Sequence, residues 1–184
     1  MKNNYVLFLA LLFTYFFTTA FVKAQNKSLR LVFIRHAERP DDGENLTCKG
    51  FNRSVLLSEV LFRKFGIANN IYVPSLSLGG KTKRARMLQT ITPYAVKYNL
   101  SINSKYGEDD FRAIGNALLK EKRTVIIVWE HNSILPIMNY LGIREPVAWP
   151  DNDFDTIWIV TFKKGGPTLA KDRESLDPPG SCSF

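Results

Sequence analysis

Cysteine and histidine are scarce in this chain, with two of each in 184 residues. Two cysteines exclude a disulfide-rich scaffold and a four-cysteine zinc site, and two histidines leave little for a histidine-built metal centre. The 11 glycines and 9 prolines are too few for a collagen-like or low-complexity chain. Acidic residues are outnumbered, 17 against 25 Lys and Arg, giving a formal net charge of +8. Composition alone does not turn that excess into nucleic-acid binding. No internal repeat and no interdomain linker is visible. What is present is a 45% apolar fraction, which supports a packed core rather than disorder, in a length that builds one domain.

Residues 1–24 form a separate segment. Uncharged apolar and hydroxylic residues run from Tyr5 to Val22 behind Lys2, and Val22-Lys23-Ala24 places small residues where a signal peptidase reads. This predicts a secretory signal, cleaved to leave a single domain over residues 25–184 in the periplasm or outside the cell. The alternative is a retained signal anchor. No cysteine ends the apolar run, which argues against a lipid-anchored start. After residue 24 the chain keeps 23 basic and 17 acidic residues, a charge of +6. In an oxidising compartment Cys48 and Cys182 can pair. Against that, Asp177-Pro178-Pro179-Gly180-Ser181 reads as a mobile terminus, and the tail is expected to be flexible from about residue 165.

Between these ends, strands and helices alternate. Leu29–Ile34 and Thr124–Trp129 are apolar runs suited to strands covered on both faces. Ile71–Val73 and Thr156–Phe162 are further strands. Thr47 can cap a helix to Gly66 with apolar positions at Phe51, Val55, Leu57, Val60, Leu61 and Phe65. Helices are also expected over Arg84–Tyr98, bent or broken at Pro93, over Asp109–Lys122, and over Ser133–Leu141. The alternation predicts an α/β fold, a three-layer αβα sandwich around a mostly parallel sheet. In such folds ligands bind at the carboxyl ends of the strands.

Both histidines fall at such ends. The first strong strand runs into Arg35-His36-Ala37-Glu38-Arg39, and the second into Trp129-Glu130-His131. A single histidine there could be structural, but two placed alike suggest a shared site. The chemistry that suits it is that of a phosphoryl group. Guanidinium forks satisfy its oxygens while staying ionised, and a neutral imidazole in a cationic pocket is a competent nucleophile. A second imidazole can donate to the equatorial oxygens as charge develops. Transfer to His and then to water divides hydrolysis into two easier steps.

Arg35-His36-Ala37-Glu38 resembles the Arg-His-Gly-Glu signature of the histidine phosphatase superfamily, the phosphoglycerate mutase-like proteins. Leu46-Thr47-Cys48-Lys49-Gly50-Phe51-Asn52-Arg53, Arg86-Met87-Leu88-Gln89-Thr90 and Val128-Trp129-Glu130-His131 are similar to three further family segments. Trp149-Pro150 and Phe154-Asp155-Thr156-Ile157-Trp158 resemble a branch with a Trp-Glu-His motif. The resemblance covers residues 29–162. It implies that His36 is the phosphorylated nucleophile, with Arg35 and Arg86 clamping phosphate and His131 as the second core histidine. Arg39 is either a further phosphate contact or a solvated loop charge. Arg84 competes with Arg86 and fits the motif less well.

Two features depart from the family pattern. Glu130 stands where glycine usually precedes the second histidine, and there it can pair with an arginine, orient His131 or point away. The general acid is also unassigned by motif. Glu108 lies in the interval from which many relatives supply a glutamate, beside Asp109 and Asp110; the alternative is that the three form an acidic helix start, with Glu130 in reserve as the acid. Gly79-Gly80-Lys81-Thr82 lacks the first glycine of a nucleotide-binding loop. The basic run Lys81–Arg86 has no interleaved aromatics for stacking nucleic acid, so it is expected to steer anions. The expectation is therefore an exported phosphomonoester hydrolase resembling histidine acid phosphatases, without cofactor, metal, nucleic acid or stable membrane association after signal cleavage, acting on a small anionic phosphorylated substrate. The alternatives are a catalytically inactive anion-binding module and a phosphotransferase or mutase.

Overall fold

The computed structural model describes residues 28–77, 79, 81–145 and 148–182. The expected signal segment lies outside the described residues. Six strands form one sheet: β1 (Arg30–Arg35), β2 (Asn70–Tyr72), β3 (Ile102–Asn103), β4 (Thr124–Trp129), β5 (Thr156–Lys163) and β6 (Gly166–Arg173). Their order is β3-β2-β4-β1-β5-β6, with β1 to β4 parallel and β5 and β6 antiparallel. Four helices cover the sheet: α1 (Cys48–Phe65), α2 (Ala85–Lys97), α3 (Phe111–Leu118) and α4 (His131–Tyr140).

The two central strands explain the layering. Side chains alternate across a strand, so Leu31, Phe33, Val125, Ile127 and Trp129 pack on one face with Ile114, Leu118, Ile134 and Ile137 of α3 and α4. Val32, Ile34, Ile126 and Val128 pack on the other with Leu57, Leu61, Met87 and Ile91 of α1 and α2. The expected three-layer α/β architecture is therefore present. Close approaches hold the layers in place. At Gly50 a Cβ would fall 2.2 Å from the carbonyl oxygen of Glu38, and at Gly115 one would fall 2.1 Å from the Tyr140 ring. α2 continues through Pro93 without interruption. α3 is shorter than expected and leaves Asp109 and Asp110 outside it.

The carboxyl-terminal segment departs most from expectation. Where flexibility was expected from about residue 165, Gly166–Arg173 pairs with β5 along its whole length. The chain then straps back over α1. The Asn52 side chain donates to the carbonyls of Pro179 (2.8 Å) and Ser181 (2.9 Å), and Cys182 forms a disulfide with Cys48, the Cα atoms 4.9 Å apart. The polar, glycine- and proline-rich composition of this segment hides an ordering supplied by partners distant in sequence. Among the described residues no helix is long and apolar enough to cross a membrane.

Beneath the strap lies a buried charge cluster. Arg53 Nε and Nη2 each donate to Glu38 at 2.9 Å, and Nη1 donates to Glu174 Oε2 at 2.9 Å. Asp155 Oδ1 is 3.7 Å from the same Nη1. Burial, reinforced by the Asp155 and Glu38 charges, pushes the Glu174 carboxyl up to about 8 against the pull of Arg53. The same carboxylates raise the Arg53 guanidinium.

Two outcomes are expected. The disulfide closes a separation of 134 residues, so Cys182→Ser should lower unfolding free energy by about 2–5 kcal/mol in denaturant titration. Between the ordinary carboxylate pKa and about 8, the folded state binds a proton at Glu174 that the unfolded chain has released. Thermal stability should therefore fall as pH rises from about 5 to 8, and Glu174→Gln should flatten that slope.

Candidate active site

Adjacent parallel strands end side by side. Arg35, the last residue of β1, is in register with Trp129, the last of β4. The residues that follow, His36 on one strand and Glu130-His131 on the other, are thereby brought together although they lie 94 residues apart in sequence. Glu130 caps α4, its Oε1 accepting from the His131 backbone N–H at 3.2 Å. His131 is thus the first residue of a helix.

His36 is fully buried. Its Nδ1 donates to the Ala37 carbonyl at 2.7 Å, which leaves Nε2 facing Glu130 Oε2 at 3.1 Å. His131, also buried, has its Nε2 against Asp151 Oδ1 at 3.0 Å. Its Nδ1 lies against Glu130 Oε1 but has no hydrogen-bond partner. One carboxylate therefore sits between the two imidazoles, and the facing nitrogen and oxygen atoms all lie within 4.8 Å of one another. Burial works against an ionised Glu130. The hydrogen bond and charge of His36, with the charges of His131 and Arg35, outweigh it and hold the carboxyl at about 2.

Arg35 borders the same region, close enough for the Glu130 charge to act on it. Arg35 is buried, with Nη1 donating to the carbonyls of Pro150 (3.3 Å) and Asp151, and its guanidinium carbon 4.2 Å from the centre of the Phe154 ring. Its Nε is buried without a partner. Burial lowers its pKa, with the Glu130 charge opposing. Arg86 lies in the first turn of α2, as the motif implies; Nη1 donates to the Gly43 carbonyl at 3.0 Å, and its Nε too is buried without a partner. The next turn holds the loop after His36, Thr90 Oγ1 accepting from the Ala37 N–H at 2.9 Å. Arg39 is exposed and bonds only its neighbour Pro40 among the hydrogen bonds described, yet its charge also lowers Arg35.

Glu108 is half-buried. Its carbonyl accepts from Trp129 Nε1 at 3.0 Å and its Oε2 accepts from Arg84 Nε at 3.0 Å. Burial raises its pKa and the Glu130 charge adds to this, against the pull of Arg84. Arg84, at the edge of the expected motif, is thus the partner of Glu108. Asp109 and Asp110 are exposed; Asp110 accepts from the Gly107 N–H at 3.0 Å, outside the histidine cluster. A raised carboxyl suits a proton donor and a lowered one does not, which separates Glu108 from Glu130 as acid candidates.

Sequence reasoning did not assign a role to the loop before β5. Asp151 braces His131, the Pro150 and Asp151 carbonyls hold Arg35, and Phe154 covers it. The available signal was the turn-forming Trp149-Pro150-Asp151-Asn152-Asp153 run opposite the β1 terminus. A cavity of about 720 Å³ opens between α3 and α4, lined by Asp109, Phe111, Arg112, Asn116 and Tyr140 among others. Neither histidine lines it.

No family model and no curated protein matches the sequence. Solved structures do match. The protein histidine phosphatase SixA complexed with tungstate aligns with a TM-score of 0.60 and 15% identity, covering 79% of this chain and 97% of that one. Phosphoserine phosphatase from Entamoeba histolytica in complex with phosphoserine gives 0.55 and 16%, covering 80% and 97%. Phosphoglycerate mutase from Bacillus anthracis gives 0.52 and 12%, covering 88% and 96%. These likenesses show the fold: this chain has a phosphoglycerate mutase-like α/β fold.

Proposed function

We propose that this protein is an exported phosphatase that hydrolyses phosphate monoesters through a phosphohistidine on His36. The observation that carries the reading is the convergence of His36 and His131 on one anionic group, with unpartnered buried Nε donors on Arg35 and Arg86. The Glu130 carboxylate lies between the imidazoles, which supports reading that space as suited to an anion. A phosphoryl group entering there displaces it from His36 Nε2. The displaced Glu130 carboxylate carries off the proton of that nitrogen, which, oriented by the Ala37 carbonyl, attacks phosphorus as the bond to the leaving oxygen breaks. His131 and the arginines donate to the equatorial oxygens. Glu108 gives a proton to the leaving oxygen, then takes one from the water that cleaves the phosphohistidine. Arg39, exposed and acting on Arg35 through its charge, adds field rather than a fixed contact.

Export is supported by the signal pattern of residues 1–24, and a Cys48–Cys182 pair suits an oxidising compartment. One observation favours the alternative of a non-catalytic anion-binding module: the nucleophilic nitrogen is itself hydrogen-bonded to Glu130. Kinetics separate the two readings.

The protein should hydrolyse p-nitrophenyl phosphate in the presence of chelator and form an acid-labile phosphoenzyme, and His36→Ala should abolish both. Phosphate binding without turnover would favour the module instead. Glu108→Gln should slow an alkyl phosphate by about 10²-fold or more while leaving p-nitrophenyl phosphate far less affected, because only the poor leaving group needs the proton. Equal losses on the two substrates would remove Glu108 from the acid role.

A further inference from the structure

The histidine cluster has the layout of a cation site as much as that of an anion site. An anion must push the Glu130 carboxylate aside, whereas a cation recruits it. Two imidazole nitrogens and a carboxylate face one another, all within 4.8 Å. A tetrahedral shell at zinc-like bond lengths needs about 3.3 Å between ligand atoms, a difference that small side-chain rotations close.

The outer contacts of both rings match those of metal-bound histidines, in which the second ring nitrogen is held by a carbonyl or carboxylate oxygen. His36 Nδ1 is held at 2.7 Å by the Ala37 carbonyl, leaving Nε2 inward. His131 Nε2 is held at 3.0 Å by Asp151, leaving Nδ1 inward, buried and without a hydrogen-bond partner. Neither cysteine competes, since Cys48 and Cys182 are paired.

We propose that His36 Nε2, His131 Nδ1 and the Glu130 carboxylate form a site for a divalent transition metal of the zinc class, and that a bound ion shuts off the nucleophile. Mixed nitrogen and oxygen donors with one carboxylate suit zinc better than magnesium or calcium. Coordination places the lone pair of His36 Nε2 on the metal, where it cannot attack phosphorus. The nearby charge of Arg35 opposes an incoming cation. A hydroxide or chloride completing the metal shell offsets this by giving Arg35 Nε the acceptor it lacks. The blocking half of this inference rests on the phosphatase reading; the binding half does not.

The test is calorimetric titration of the full chain, treated with chelator and then dialysed, with zinc chloride. One zinc per chain should bind. Glu130→Gln should weaken it at least about tenfold, and Asp151→Asn by about 10-fold or more through loss of the brace on His131. Phosphate binding should respond in the opposite sense, tightening in Glu130→Gln because the competing carboxylate charge is gone. Thermal melts of both variants show whether each is folded; if one is not, the other carries the comparison. Zinc should inhibit p-nitrophenyl phosphate hydrolysis, with chelator restoring it. No zinc binding up to about 1 mM, or equal binding in wild type and Glu130→Gln, overturns the site whatever the phosphatase assay shows. Binding that leaves hydrolysis undiminished overturns the blocking role. Zinc binding of the expected pattern in a protein without phosphatase activity would retain the site and remove the phosphatase reading.

Discussion

The parallel pairing of β1 with β4 is the constraint on which the rest of this structure depends. The two strands are distant in sequence and neighbours in the sheet, and their register runs unbroken from Arg30↔Thr124 to Arg35↔Trp129. Apart from Arg30, every residue in both is buried, so a slip of one position would move alternate side chains into the wrong core. The same register makes the strands end level. The residues just beyond them have no freedom to lie anywhere but beside each other, and those residues are His36, Glu130 and His131.

Two glutamates, Glu130 half-buried and Glu174 buried, show how surroundings decide charge in this protein. Glu130 sits among His36, His131 and Arg35 and is held at about 2, while Glu174 shares Arg53 with Glu38 and Asp155 and is pushed up to about 8. Burial opposes ionisation at both; at Glu174 it outweighs the pull of Arg53, whereas at the less buried Glu130 the surrounding positive groups outweigh it. The two environments are joined through the loop after β1. Its His36 faces Glu130, and its Glu38 bonds Arg53. The geometry of the histidine site is thereby tied to the carboxyl-terminal strap, which supplies Glu174 and is closed by the disulfide at the start of α1.

How much could be read from residues alone varied with the kind of signal. β1, β4 and α1 were legible because continuous apolar runs and 3.6-residue spacing are local properties. β3 has two residues, too short for any periodicity to register. β6 was hidden for a different reason: it is an edge strand with mostly exposed or half-exposed side chains, so no apolar pattern marks it, and the Gly165-Gly166 turn that folds it onto β5 was the signal available. In the site, His36, His131, Arg35 and Arg86 stood out through motif and strand-end placement. Asp151 and Phe154 did not, because their roles arise only from contact with Arg35, more than a hundred residues away, and with His131 at the start of α4.

By itself the sequence determined the succession of four of the six strands and the four helices, the burial of the central pair, and the placement of both histidines at strand ends, all consequences of local pattern and polarity. The tertiary structure alone decided that Glu130 turns inward between the imidazoles, that Asp151 braces His131 while the Pro150 carbonyl holds Arg35, and that residues 179–182 are strapped to α1. Those outcomes depend on sheet order and on the electrostatic balance among groups brought together by folding. Neither quantity is carried by any short stretch of the chain.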